Sequence, residues 1–533
     1  MTTNNGEWFA REALAQIPKL LTLLDRNVHS PTYGCFDRNF WQYKIIDFPS
    51  GMAQEFCWPL ALAYQVNLPN NAFYQQPALK QWVEAAILYA ARSAHPDGSC
   101  DDYFPYEKAA GAAAFSLLAC IESYRLLNLK NDEALHFFRK RANWLAEHEE
   151  SGKLTNHQAL IALGLQASGE LLKTDVWKNA QHRRLEKILS WQHEEGWFPE
   201  YEGCDPGYHT LTVFCLARLY EKNPTPALRE ALEKAVKLAA LFVHPDGSFG
   251  GEYTSRNTYN FFPNGFELIG KWMPEALAIN DAFLKGAEHG MAPCYADDHI
   301  IGHHTWNYFL AWQDFVKERP PVPDRRQGRT WLAGAKILIE RRKDAELYLA
   351  LNKGGVFKFF RGNKLIVSDT QLSFLVWEGK KNKNAVAHLV GNYQTRVETD
   401  RVSIGGSLGW AKQKLMTPFR LIALRVIMLT GGRFFPDLIR RILQKILITN
   451  PQPAPFTFER VLEWQEDKLS VTDQVKAKTW SNIELAGIGG DQTSIYVVMS
   501  RTFQKNQLQP WEDLTAKAKN LKAEESLLIQ RVF

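Results

Sequence analysis

The sequence predicts an α+β chain of two parts. Residues 1–320 form an α/α toroid of about six helical hairpins, and residues 321–533 form an antiparallel β-sandwich. Three observations carry this. "HPDGSCDDYF" begins at His95 and "HPDGSFGGEY" at His244, about three units of roughly fifty residues apart, the mark of a repeat architecture. Between such junctions, apolar residues recur at three- and four-residue steps, the period of a helix. Beyond a Pro- and Arg-rich stretch, "KERPPVPDRRQGRT" (317–330), the pattern shifts to short strand-like runs punctuated by Gly, Asn and Asp.

In chain order, the other junctions are "IIDFPSGMAQEFCWPLALAY" (45–64), "EESGKLTNHQAL" (149–160), "EEGWFPEYEGCDPGYHTL" (194–211) and "YADDHIIGHHTWNYFLAW" (295–312). Helices are expected over 78–94, 109–127 and 227–243. Hairpins of this period close into a toroid or stack as an open solenoid. Closure is favoured because the junctions carry Trp, Tyr, His and Asp while the helices are Ala- and Leu-rich; a ring gathers those loops around one cavity. Strands are expected at "AELYLAL", "GGVFKFF", "KLIVS", "LSFLVWEG", "TRVETDRVSIGG", "FTFERVLEW", "KLSVTD" and "SIYVVMSRTF". Residues 412–450 interrupt them with eight Lys/Arg and one acid, Asp437. They read as two amphipathic helices joined at Gly431-Gly432, either packed on the sandwich or forming a peripheral membrane contact.

The net charge of +5 divides unevenly, with residues 321–533 summing to +14 and residues 1–320 to −9. A basic unit favours an acidic glycan, a nucleic acid or an anionic membrane. No zinc-type cysteine spacing or nucleic-acid motif is present, so nucleic acid is not expected as a partner. Seven scattered cysteines do not form a disulfide framework. The first residues lack the basic and apolar regions of a secretory signal, and no apolar run is long enough to span a bilayer. A cytoplasmic location is therefore expected, with periplasmic or membrane-associated placement as the alternative.

The junctions place Asn156 and His157 at the mouth of one helix, and Tyr208 and His209 at the mouth of another. Taken singly, Asn156 is an ordinary helix cap and Tyr208 an ordinary buried aromatic. Taken together they suit proton chemistry on a sugar acid. Elimination from a uronate needs its carboxylate neutralised while negative charge develops on the neighbouring carbon. It also needs a base and an acid. Asn and His donate to a carboxylate. Tyrosine transfers protons, but its ordinary pKa near 10 calls for a nearby cation.

The segments "TNHQALIALGL" and "GWFPEYEGCDPGYHTLTVFCLARL" resemble those of the heparinase II/III-like polysaccharide lyases and the related alginate lyases. The resemblance implies a toroid followed by a β-sandwich, acting by β-elimination on an acidic, uronate-containing polysaccharide. It implies that Asn156 neutralises the carboxylate beside His157, that Tyr208 transfers a proton and that Glu200 orients the site. The motif match is confined to about 150–220. The chain departs from the family in the sandwich, where "LIVSDTQLSFLVWEG" offers Asp369 but no His. The second proton-transfer residue stays unassigned among His303, His304, Tyr253 and Tyr393.

Further substrate contacts are expected from His209, from Tyr253, Arg256, Asn257 and Tyr259 in "GGEYTSRNTYNFFPNGFELIG", from His303 and His304, and from Tyr103 in "DDYFPYE". Arg256 is alternatively a structural partner of Asp101 and Asp102. "YADDHIIGHHTW" lacks a metal-specific spacing, so neither metal nor cofactor is assigned. Two rivals remain. One is a glycoside hydrolase pairing Asp101 or Asp102 with Glu200, Glu202 or Asp297. The other is a non-catalytic glycan-binding or assembly protein.

Overall fold

The computed structural model describes residues 6–150, 152–200, 203–295, 300–321, 324–379, 381–411, 416–447, 452–489 and 502–533. Its helical part is a closed ring of six hairpins. The inner helices are Cys57–Gln65, Ala110–Leu126, Thr155–Leu172, Pro206–Lys222, Asn264–Gly270 and Ile300–Gln313; each packs on the next, and the last packs on the first. Their outer partners are Pro77–Ser93, Asp132–Glu147, Lys178–Trp191, Pro226–Leu241, Glu275–Glu288 and, for the last inner helix, the N-terminal helix Glu7–Leu23.

Composition explains which helix lies where. Ala110–Leu126 buries 14 of its 17 residues and is rich in alanine, so neighbours approach it from every side. Lys178–Trp191 buries only Ala180, Arg184 and Ile188, a single stripe at four-residue spacing that faces inward.

The strands form two principal antiparallel sheets. Among the described residues, five strands from Gly328 to Asp369 make a meander, and nine more from Leu372 onward make a larger sheet. Leu338, Leu347, Leu349, Phe357 and Phe359 of the meander share a core with Phe374, Ile404 and Phe456 of the larger sheet. The meander's other face, with Ile337, Ile339, Tyr348 and Phe360, joins the core of the helical ring. The middle sheet is thus covered on both sides. Its strand Ala345–Ala350 is buried at all six positions, whereas the outer strand Pro453–Gln465 alternates buried and exposed.

A buried cluster joins the two sheets, with Asp369 from the end of the meander and Arg460, Asp473 and Arg531 from the larger sheet. Arg460 contacts Asp369 (2.9 Å) and Asp473 (2.6 Å), and Arg531 contacts the same two carboxylates (2.8 Å each). Most of the expected "SIYVVMSRTF" strand lies outside the described residues; Thr502–Phe503 pairs with Cys294–Tyr295. No cysteine is disulfide-bonded: six are buried and Cys294 is exposed.

Candidate active site

The helix Thr155–Leu172 begins without a side-chain cap of its own; its N-cap position is Leu154. The cap comes from the next repeat. A two-stranded hairpin, Pro199–Glu200 with Gly203–Cys204, crosses the helix mouth and bridges to Leu154. Glu200 accepts the Asn156 backbone N–H at Oε1 (3.0 Å) and the Asn156 side-chain Nδ2–H at Oε2 (2.7 Å). Asn156 is therefore not the cap that its residue type suggests. It sits inside the first turn, 1% exposed, and its Oδ1 has no hydrogen-bond partner among the described residues.

Burial pushes the Glu200 carboxyl up to about 7, against the opposing pull of Arg256, the two Asn156 hydrogen bonds and His157. Burial opposes protonation of His157, but Glu150 at 2.8 Å from Nδ1, together with Glu200, outweighs it and raises the imidazole above its ordinary value. The ring needs space on the neighbouring inner helix: a Cβ on Gly111 would lie 2.6 Å from His157 Cε1.

One repeat further on, Asp205 and Pro206 start the helix carrying Tyr208. Asp205 is fully buried and receives four hydrogen bonds. Tyr208 N–H (3.0 Å) and Thr258 Oγ1–H (2.5 Å) donate to Oδ1, and Thr254 Oγ1–H (3.1 Å) and Arg256 N–H (3.2 Å) donate to Oδ2. One carboxylate thus caps the Tyr208 helix and fastens loop 251–258 across it. Gly207 allows the close approach, since a Cβ there would meet Thr258 Oγ1 at 2.2 Å. The loop delivers Arg256, whose guanidinium carbon stands 4.3 Å from the centroid of the Tyr208 ring and whose Nη1 lies 4.0 Å from Glu200 Oε2. Asn156, Glu200, Arg256 and Tyr208 form one continuous chain of contacts, with His157 beside it. Arg256 thus meets Glu200.

The same loop is clamped from the β side. Lys353 is buried and donates to Glu252 O (2.5 Å), Thr254 O (2.9 Å) and the side-chain oxygen of Asn257, which holds a left-handed backbone at φ +55°. Burial lowers the Lys353 ammonium to about 7, with Glu252 and Asp205 pulling the other way. Tyr259 donates to Glu252, and Lys358 reaches both (3.0 Å to Tyr259 Oη, 2.8 Å to Glu252 Oε2). Asn257 and Tyr259 thus bind the two parts of the chain together.

The other expected residues are placed elsewhere. His209 hydrogen-bonds the Ala235 carbonyl (3.0 Å) and stacks on Phe198; burial lowers it to about 4. Tyr253 Oη meets His244 Nε2 at 2.9 Å inside the core. His303 contacts Glu55 (2.8 Å) and stacks on Phe115, joining the last inner helix to the first junction. His304 stacks on Tyr295 and contacts Asn260 Oδ1 (3.3 Å). Tyr393 donates to the carbonyls of Ala387 and Leu389. Tyr103 is exposed on a loop organised by Asp101 and Glu107. Ser50 donates to Asp102 (2.6 Å). Glu202, Asp297, Asp298 and His299 lie outside the described residues. Among the described residues, no group of three His, Cys, Asp or Glu is placed to hold a metal ion.

Sequence reasoning missed Glu150, Asp205 and Lys353. Asp205 had a signal, an acid directly before Pro at a helix start. Lys353, in "LNKGG", had none.

No family model matches the chain, and no curated protein does. Solved structures do. A xanthan lyase from Paenibacillus aligns over 91% of this chain and 46% of its own, at TM-score 0.52 and 10% identity. A chondroitin AC lyase from Streptomyces coelicolor A3, in complex with chondroitin sulphate, aligns over 98% and 76%, at TM-score 0.53 and 10% identity. This chain spans under half the length of the xanthan lyase. What it shares with these two polysaccharide lyases is their fold, a helical toroid followed by antiparallel β-sheets.

Proposed function

We propose that the protein is a polysaccharide lyase of the heparinase II/III-like type, cleaving an acidic, uronate-containing glycan by β-elimination. The observation carrying this reading is the contact chain from Asn156 through Glu200 and Arg256 to Tyr208. It sets a phenol against a guanidinium at the mouths of two adjacent inner helices.

The substrate carboxylate lies against His157, Arg256 and the Asn156 amide hydrogen not used by Glu200. Their positive potential stabilises the charge that develops on the neighbouring carbon. Tyr208, acting as a phenolate beside the Arg256 cation, takes the proton from that carbon and becomes the phenol. The carbon–carbon double bond forms as the bond to the glycosidic oxygen breaks. The same phenol returns the proton to the leaving oxygen when both groups lie on one face of the sugar. The imidazoles of His209 and His304 and the phenol of Tyr253, engaged within the core, are poor candidates for that second step.

The test is ultraviolet absorbance of an unsaturated uronate product during incubation with heparan-type chains, hyaluronan, alginate and polyglucuronate. We expect absorbance to rise with one of these, and Tyr208→Phe to lower the rate ~10²-fold or more. Full activity in that variant would falsify the role of Tyr208. New reducing ends without absorbance would instead indicate a hydrolase, and tight binding without either would indicate a glycan-binding protein.

A further inference from the structure

We propose that the helical insert Pro418–Leu447 docks this protein on an anionic lipid surface, a role separate from glycan cleavage. The insert joins the long antiparallel strands Arg401–Ala411 and Pro453–Gln465 and consists of two twelve-residue helices, Pro418–Leu429 and Pro436–Leu447. A 3₁₀ turn, Gly432–Phe434, separates them.

In the first helix only Met428 is buried. Phe419 is 80% exposed and Phe434, in the turn, 66%; Ile422, Val426, Phe435 and Leu438 are each more than half exposed. Large apolar side chains concentrated this way on one excursion mark an interaction surface. Residues 412–450 also carry eight Lys/Arg against one acid.

Charge selects the occupant. A symmetric contact between two copies would bring two sets of like charges together. A polyanionic glycan matches the charge but leaves the phenylalanines and isoleucines in water. An anionic bilayer satisfies both, apolar side chains entering the acyl boundary and basic ones meeting the headgroups. Twelve helical residues span about 18 Å, short of the ~30 Å hydrocarbon core, so each helix lies in the interface. No helix among the described residues is long and apolar enough to cross a membrane.

The insert is tied to the ring. Arg425 pairs with Asp47 (2.9 Å), and its guanidinium lies 5.1 Å from the Phe48 ring centroid. Loop 45–51 in turn joins the next junction through Gly51 N–H to Asp101 O (2.7 Å). The docking face therefore attaches at the rim where the inner helices begin, which is also where Asn156 and Tyr208 lie.

The experiment is co-sedimentation of the full chain with two sets of vesicles. One is phosphatidylcholine alone; the other contains about one third phosphatidylglycerol as the anionic component. We expect at least about ten-fold tighter binding to the anionic vesicles, weakening as salt rises. Phe419→Ser/Ile422→Ser/Phe434→Ser should lower that binding about ten-fold or more with an unchanged melting temperature. Arg433→Glu/Arg441→Glu should remove the preference for anionic lipid. Absence of binding at low salt, or equal binding by wild type and the triple variant, overturns the proposal. So does a wild-type dimer that the triple variant dissociates without any vesicle binding, because the surface then joins two copies.

Discussion

Glu200 holds its proton to about pH 7 in the folded chain, against an ordinary value of 4.5. Its stabilising contribution is therefore fully present below 4.5 and is lost as pH rises through 7. The loss is on the order of 3 kcal/mol for a shift of this size. Glu200→Gln should flatten that slope, and chemical denaturation at pH 5 and pH 8 measures it. An unchanged slope would mean that Glu200 ionises freely. Near neutrality the carboxyl is poised between a neutral and a charged site, and the charge left on His157 and Arg256 changes with it. Gly111→Ala probes the same spot from the opposite helix. The added methyl meets the imidazole at 2.6 Å and displaces it from Glu150. We expect KM for the glycan to rise about ten-fold or more with little change in melting temperature. The sequence singled out Asn156, His157 and Tyr208 as candidates because their types and spacing suit one chemistry, and the structure brings them near one another. The partner that organises Asn156 was legible only in part. Glu200 was expected as an orienting residue, but no spacing rule shows that a residue 44 positions later caps the Asn156 helix.

Among elements, the Tyr208 helix depends on a single acid. Asp205→Ala removes the helix cap and leaves three further donors from loop 254–258 without their acceptor. The expected loss is about 2 kcal/mol or more by thermal denaturation. Catalytic loss should accompany it, because Arg256 hangs from that loop. Lys353→Met tests the clamp from the other side. The loop should loosen, and kcat/KM should fall more than melting temperature does; a fall in melting temperature alone would make Lys353 purely structural. The helices themselves were readable. The expected 78–94, 109–127 and 227–243 correspond to Pro77–Ser93, Ala110–Leu126 and Pro226–Leu241. Strands were less readable where both faces are covered. "AELYLAL" reads as a strand from its apolar content. "RTWLAGAKILIE" hides two strands, Gly328–Leu332 and Ile337–Arg342, behind Ala and Gly at their turn.

At the scale of the whole molecule, the middle sheet belongs to two cores. Ile337 and Tyr348 pack into the ring while Leu338 and Leu347 pack into the sandwich. Arg325, from the segment joining the two parts, is held by Glu346 and also donates to the Val243 carbonyl of the ring. Calorimetry should therefore show one cooperative transition, and Arg325→Met with Lys353→Met should split it in two. A split already present in the wild type would mean that the shared core couples the parts weakly. The sequence indicated six hairpins through its period, but not how the ring closes. Closure pairs the first helix with the last, a contact no local pattern encodes.

That closure has a consequence for biosynthesis. The helix Glu7–Leu23 carries Phe9, Ala13, Ile17 and Leu20 on its inward face. Its partner, Ile300–Gln313, leaves the ribosome roughly 280 residues later, about a quarter of a minute to a minute at ordinary translation rates. Throughout that interval the nascent chain displays an apolar stripe without its main mate, only the smaller contact with Cys57–Gln65 being able to form early. The growing arc of hairpins is likewise open at its advancing edge, so the first helix is where a chaperone would be needed longest.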